Sequence, residues 1–178
     1  NERNTGLKIT VTKDAGYCFG VRDAVNMAYN TAEKYGDVHM LGSIVHNEKV
    51  VGDLKDAGAK TVRSLDDVPQ GSPILFRAHG TVDKLWNKAK SKKMNIIDAT
   101  CPLVYEIHQE VKKISKDGRK VIVIGDHGHD EVVAIANQVE NSIIISSPEE
   151  AVKLRKMKKA GVVCQSTQAI ENVQEIVN

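Results

Sequence analysis

Short runs of aliphatic and β-branched residues alternate with segments of helical spacing along nearly the whole chain, and that alternation narrows the possible folds more than any other feature. Lys120 to Ile124 (KVIVI) is apolar on both faces, the pattern of a strand covered on both sides in a parallel sheet. Val38 to Leu41, Lys60 to Arg63, Pro73 to Arg77, Ser142 to Ser146 and Gly161 to Cys164 read as further strands. Most are followed by a polar corner and then by a helical pattern. Parallel strands need a crossover to return the chain to the same sheet edge, usually a helix, so such alternation places the chain in the α/β class. A soft boundary near residues 98 to 104 divides it into two small domains of parallel sheet flanked by helices, 7–101 and 102–178.

The helices have recognisable starts and stops. Val21 to Tyr35 carries Val21, Ala24, Val25 and Ala28 on one stripe, and Gly36 suits its end. Asn47 can cap a helix running to about Ala57. Thr81 to Lys93, Leu103 to Lys116, the segment from Glu131 to about Val139, Pro148 to Met157 and the stretch from Ala169 also read as helices. Leu7 to Lys13 alternates and reads as an opening strand.

Composition excludes several classes. The 178 residues carry 25 Lys and Arg against 23 Asp and Glu, a net charge of +2 that gives no electrostatic footprint for nucleic acid. The densest basic run, Lys153 to Lys159, reads as a solvated face. No apolar run approaches the roughly 18 residues a membrane span needs, and no signal peptide is apparent. Three widely spaced cysteines do not form a secreted disulfide framework and point to a reducing cytoplasm.

The corners carry the chemistry. Ile96-Ile97-Asp98-Ala99-Thr100-Cys101-Pro102 runs from a strand into a helix, because proline suits a first helical turn where its missing N–H costs nothing. Cys101 therefore sits at a strand end beside a helix N-terminus, whose partial positive charge favours thiolate. Cys18, in Gly16-Tyr17-Cys18-Phe19-Gly20, occupies a second such corner. His46, His79, His129, Glu131, Ser166 and Thr167 also follow strands and precede helices. In a parallel sheet those corners share one edge, where ligands collect. Imidazoles and helix N-termini suit a phosphate or diphosphate, a carboxyl group can deliver a proton, and a hydroxyl can relay it. The distant cysteines cannot be a zinc-ribbon pair, but they suit a cluster ligated by single cysteines from separate loops. Two other readings stay open: a non-redox module that binds a phosphorylated ligand, and a zinc-dependent hydrolase using His127, His129 and a cysteine.

Five ordered motifs, AGYCFGV, IVHN, RAHG, DATCP and GDHGHDEV, make the chain resemble the 4-hydroxy-3-methylbut-2-enyl diphosphate reductases of the LytB/IspH family from about Leu7 onward. The resemblance implies the last step of the methylerythritol phosphate route: reductive dehydroxylation of that allylic diphosphate to isopentenyl and dimethylallyl diphosphate. It implies a 4Fe–4S cluster held by three cysteines, with Cys18 and Cys101 matching two of them. His46, His79 and His129 match the histidines around the diphosphate, and Glu131 matches the proton-delivering glutamate. Cys164-Gln165-Ser166-Thr167 aligns with the family's Gln-Thr-Thr-like segment, so Ser166 keeps a hydroxyl where a threonine is usual. A ferredoxin- or flavodoxin-type electron donor is implied, with neither nucleic acid nor membrane as partner. The third cysteine is expected beyond residue 178, in a third α/β domain of a trefoil-like enzyme, and the 178-residue chain alone is expected to be inactive. Cys164 is not expected to be that ligand. His108 is expected to lie behind the site or at the surface, His127 to be structural, and Trp86 to be helix packing.

Overall fold

In the computed structural model, which describes residues 9, 10, 13, 16–45 and 47–178, seven strands form two parallel sheets. The expected strand over Leu7 to Lys13 falls mostly outside the described residues, and His46 falls outside them entirely. The first sheet contains β1 (Val38–Leu41), β2 (Ala59–Val62), β3 (Pro73–Phe76) and β4 (Asn95–Asp98) in the order β2-β1-β3-β4. The second contains β5 (Lys120–Ile124), β6 (Ile143–Ile145) and β7 (Ala160–Cys164) in the order β6-β5-β7. Every paired strand is parallel, as the alternation requires, and the register aligns the strand ends that carry the corners: Phe76 with Asp98, and Ile124 with Cys164.

Helices cover the sheets. Helix α1 (Phe19–Tyr35) buries Ala24, Ala28 and Ala32, and these small side chains let it lie close against β1, all four residues of which are buried. Helices α2 (Glu48–Asp56) and α3 (Asp83–Ser91) complete the first layer, with Leu54 and Ala89 as their inward residues. Asn47 caps α2 as expected, its side-chain oxygen accepting from the Val50 N–H at 3.2 Å. Trp86 packs edge-on against Phe76, their rings 5.0 Å apart, in the smaller core with Leu65 and Ile74. Helix α4 (Pro102–Lys116) packs on the second sheet beside α5 (Asp130–Ala136). Helices α6 (Pro148–Val152) and α7 (Ile170–Val177) follow β6 and β7.

The observed helices depart from the predicted bounds where local chemistry is stronger than periodicity. Helix α1 begins at Phe19, directly after Cys18, and α3 is shorter than Thr81 to Lys93. Helix α6 stops at Val152 instead of Met157, and Leu154 and Met157 beyond it pack against the cluster of Ile122, Ile124, Ile145 and Ile176 from irregular backbone. No helix among the described residues is long and apolar enough to cross a membrane.

Candidate active site

Each sheet has one place where consecutive connections run to opposite sides, and open α/β sheets bind ligands in the crevice at that place. In the first sheet it lies between β1 and β3, so the turn after β1 and the loop carrying His79 border it. In the second it lies between β5 and β7, bordered by the loops carrying His129, Glu131, Ser166 and Thr167. The two crevices are joined through imidazole contact: the His79 and His129 rings stand 5.4 Å apart at 71°, an edge-to-face pair.

The second-sheet half is built around a buried carboxylate. Glu131, in the first turn of α5, is only 2% exposed. Its Oε1 accepts the Ser166 backbone N–H at 2.6 Å, and its Oε2 accepts the Ser166 hydroxyl at 2.9 Å. Both oxygens are thus engaged by Ser166, which fixes the carboxyl group's orientation. His129 caps the same helix, its Nδ1 accepting the Glu131 N–H at 3.2 Å. That bond leaves Nδ1 unprotonated and puts the neutral ring's hydrogen on Nε2, where it can donate to an anionic ligand. Burial pushes the His79 imidazole below its ordinary range, and the neighbouring His129 adds to the effect. An imidazole at His79 on which a proton is disfavoured by burial, with a second ring beside it, suits an anion that brings its own negative charge.

Gln165, which sequence reasoning passed over, holds this half together. It is 3% exposed; its Oε1 accepts the Asp126 N–H at 3.0 Å and its Nε2 donates to Thr167 Oγ1 at 2.8 Å. The loop after β5 is thereby tied to the loop after β7. Gly125 makes room for this amide, because a Cβ there would lie 2.9 Å from Gln165 Oε1 and 2.5 Å from Val132 Cγ2.

Cys18 and Cys101 are the N-caps of α1 and α4, and both are free thiols. The Cys101 N–H donates to the Ala78 carbonyl at 2.9 Å, which fixes this corner beside the His79 loop. Gly20, two residues after Cys18, faces the other thiol: a Cβ there would lie 2.5 Å from Cys101 Sγ. The absent side chain leaves a recess that brings the first turn of α1 against the Cys101 sulfur. Among the described residues, no group of three or more His, Cys, Asp or Glu could hold a metal ion.

The remaining candidates lie elsewhere. His127 is exposed and pairs with Glu150, its Nε2 2.9 Å from Oε2. Cys164 packs against the apolar cluster of Ile122, Ile124, Ile145 and Ile176. His108 is 6% exposed, so a position at the surface is ruled out; its ring lies on Gly80 and lines a cavity of about 500 Å³ with Trp86, Lys90, Tyr105 and Lys112. The signal for its burial was present in the sequence, since Val104, His108 and Val111 follow the i, i+4, i+7 spacing of an inward helix face.

Fold and site together define an α/β protein whose histidines, carboxylate and hydroxyls meet at the carboxyl ends of parallel strands. Residues 9–178 match the LytB protein family, and the chain belongs to that family. It is 38% identical over 172 residues to the 4-hydroxy-3-methylbut-2-enyl diphosphate reductase of Geobacter metallireducens, covering 96% of this chain and 61% of that protein. It is also 38% identical over 176 residues to the reductase of the same name from Clostridioides difficile, covering 97% and 63%. The structure resembles the E-1-hydroxy-2-methyl-but-2-enyl-4-diphosphate reductase of Plasmodium falciparum with a TM-score of 0.88 and 30% identity, over 93% of this chain and 53% of that one. A solved (E)-4-hydroxy-3-methyl-but-2-enyl diphosphate reductase gives a TM-score of 0.85 at 29% identity, covering 95% and 62%. The chain therefore spans about 61% of the length of the curated relatives it matches.

Proposed function

We propose that the protein containing this chain reduces 4-hydroxy-3-methylbut-2-enyl diphosphate to isopentenyl and dimethylallyl diphosphate, with residues 7–101 and 102–178 as two of three α/β domains. The observation that carries this reading is the buried Glu131, bonded twice to Ser166 and standing beside an imidazole pair formed by the two sheets. Cys18 and Cys101 would hold two corners of an iron–sulfur cluster, 4Fe–4S in the active state, with the third cysteine beyond residue 178. The paired helix N-caps and the recess at Gly20 fit that role. When bound, such a cluster supplies two electrons, one at a time, and a Lewis-acidic iron for the allylic hydroxyl.

The chain's own residues do the rest. His79, His129 and His46 bind the diphosphate, whose charge offsets protonation of the neighbouring imidazoles. The reaction consumes two electrons and two protons, breaks the C–O bond and releases water. Glu131, once protonated, gives its proton to the departing hydroxyl, and the Ser166 hydroxyl 2.9 Å away can pass the next proton to Oε2. Thr167, held by Gln165, adds a hydroxyl at the same rim. Electrons come from a ferredoxin- or flavodoxin-type donor in the cytoplasm. The test is anaerobic assay of the full-length protein with a reduced viologen. Turnover of the allylic diphosphate is expected, with Glu131→Gln about 10²–10⁴-fold slower and pyrophosphate binding retained. Full activity of that variant, or no turnover by an iron-loaded wild type, overturns the proposal. The 178-residue chain alone should give no turnover.

A further inference from the structure

Arg77 and Asp130 flank the proposed site from opposite sheets. Arg77 follows β3 and precedes His79 by two residues; Asp130 opens α5 between His129 and Glu131. Their side chains meet, Nη1 to Oδ2 at 2.5 Å, across 53 positions of sequence, with Arg77 25% and Asp130 46% exposed. The guanidinium is held from behind by the turn after β1. Gly42, at φ 77°, lies so close that a Cβ there would be 2.8 Å from Nη1 and 3.0 Å from Cζ. One planar side chain therefore links three things: the turn after β1, the His79 loop of the first sheet and the His129–Glu131 turn of the second. A guanidinium is suited to this, because its fork fixes direction as well as distance.

We propose that Arg77 and Asp130 are positioning residues that set the spacing of His79 and His129 for an anionic ligand carrying two phosphates. This rests on the assignment of those imidazoles to a diphosphate. Neither residue need touch the ligand. The clasp acts by keeping two loops of different sheets in register, so that the ring pair 5.4 Å apart is formed before the ligand arrives. A pair this exposed has little hold on overall folding, so its loss should be felt in binding and not in the melting temperature.

The test uses full-length holoenzyme and inorganic pyrophosphate as the probe. Wild type, Arg77→Gln, Asp130→Asn, the double variant and Arg77→Lys are compared by calorimetry, with KM and kcat measured beside them. Each single variant is expected to weaken pyrophosphate binding about tenfold and to raise KM similarly, with kcat within about twofold and an unchanged melting temperature. The double variant should lose no more than either single one, and Arg77→Lys should recover part of the loss. Affinities and KM values within twofold of wild type, or losses that multiply in the double variant, overturn the clasp while leaving the diphosphate assignment standing. Failure of the wild type to bind pyrophosphate overturns that assignment and this inference with it.

Discussion

Replacing Gly20 with alanine tests the recess between α1 and Cys101. The new Cβ would sit 2.5 Å from Cys101 Sγ and 3.1 Å from its Cβ, and ordinary contact begins near 3.4 Å. About 1 Å of movement must come from the first turn of α1 or from the corner before α4. Overpacking of this kind costs about 1–3 kcal/mol. Alanine also gains about 1 kcal/mol over glycine in a helix, which would mask part of the clash. Gly52→Ala removes that ambiguity: Gly52 is exposed on α2, and a Cβ there meets nothing within 4 Å. Subtracting the two variants cancels the propensity gain and leaves a clash of about 1–3 kcal/mol. At about 2–4 °C per kcal/mol for a chain of this size, the two melting temperatures should differ by roughly 2–12 °C. Urea and thermal unfolding of the reduced chain supply the measurement, and iron content of the full-length variant supplies a second one, expected to fall for Gly20→Ala only. Equal melting temperatures and equal iron content would show that Gly20 and Cys101 do not pack as described.

Gln165→Ala should lower stability by about 1–3 kcal/mol, because it removes a buried amide that accepts from the Asp126 N–H and donates to Thr167; an unchanged urea midpoint would contradict the tie. Gly125→Ala should cost a similar amount through its contact with Val132 and disturb the same loop, visible as a lower melting temperature. Stability should also fall on acidification. Burial, with help from Lys112, holds the His108 imidazole below its ordinary 6.5, and burial with help from His129 does the same for His79. Below about pH 6.5 the unfolded chain therefore takes up protons that the folded chain refuses, so stability drops as pH falls through that value and is regained above it. His108→Leu should flatten this slope between pH 5.5 and 7.5 in urea titrations; an unaltered slope would count against the burial of that ring.

Much of the fold was legible because β-branched runs and apolar stripes are local signals. Lys120 to Ile124 and Val38 to Leu41 have the same bounds in sequence and structure, and α4 starts at Pro102, one residue before the expected Leu103. The corners could also be placed, since a strand end followed by a helix start needs only two neighbouring patterns. What could not be read was pairing across the chain. Nothing near Arg77 announces Asp130, and nothing around Gln165 announces Asp126, because those partners meet only once the sheets have formed. The identity of Gly20's neighbour was hidden for the same reason: a glycine near a helix start reads as a turn residue, while its use here is to admit a sulfur from another helix. The length of α6 was missed because Ala151, Leu154 and Met157 have helical spacing, while the last two reach the same apolar cluster without helical backbone.

The strand order has a consequence for how this protein can change. Both sheets present His79, His129, Glu131 and Ser166 beyond the carboxyl ends of β3, β5 and β7, while the amino ends are joined by turns such as Gly58, Ser72 and Gly118. Robustness and reactivity are therefore written in opposite rims of the same sheets. Alterations along the amino rim should tune how firmly the scaffold stands, and alterations along the other rim should reshape what it accepts, so each can drift under its own selection.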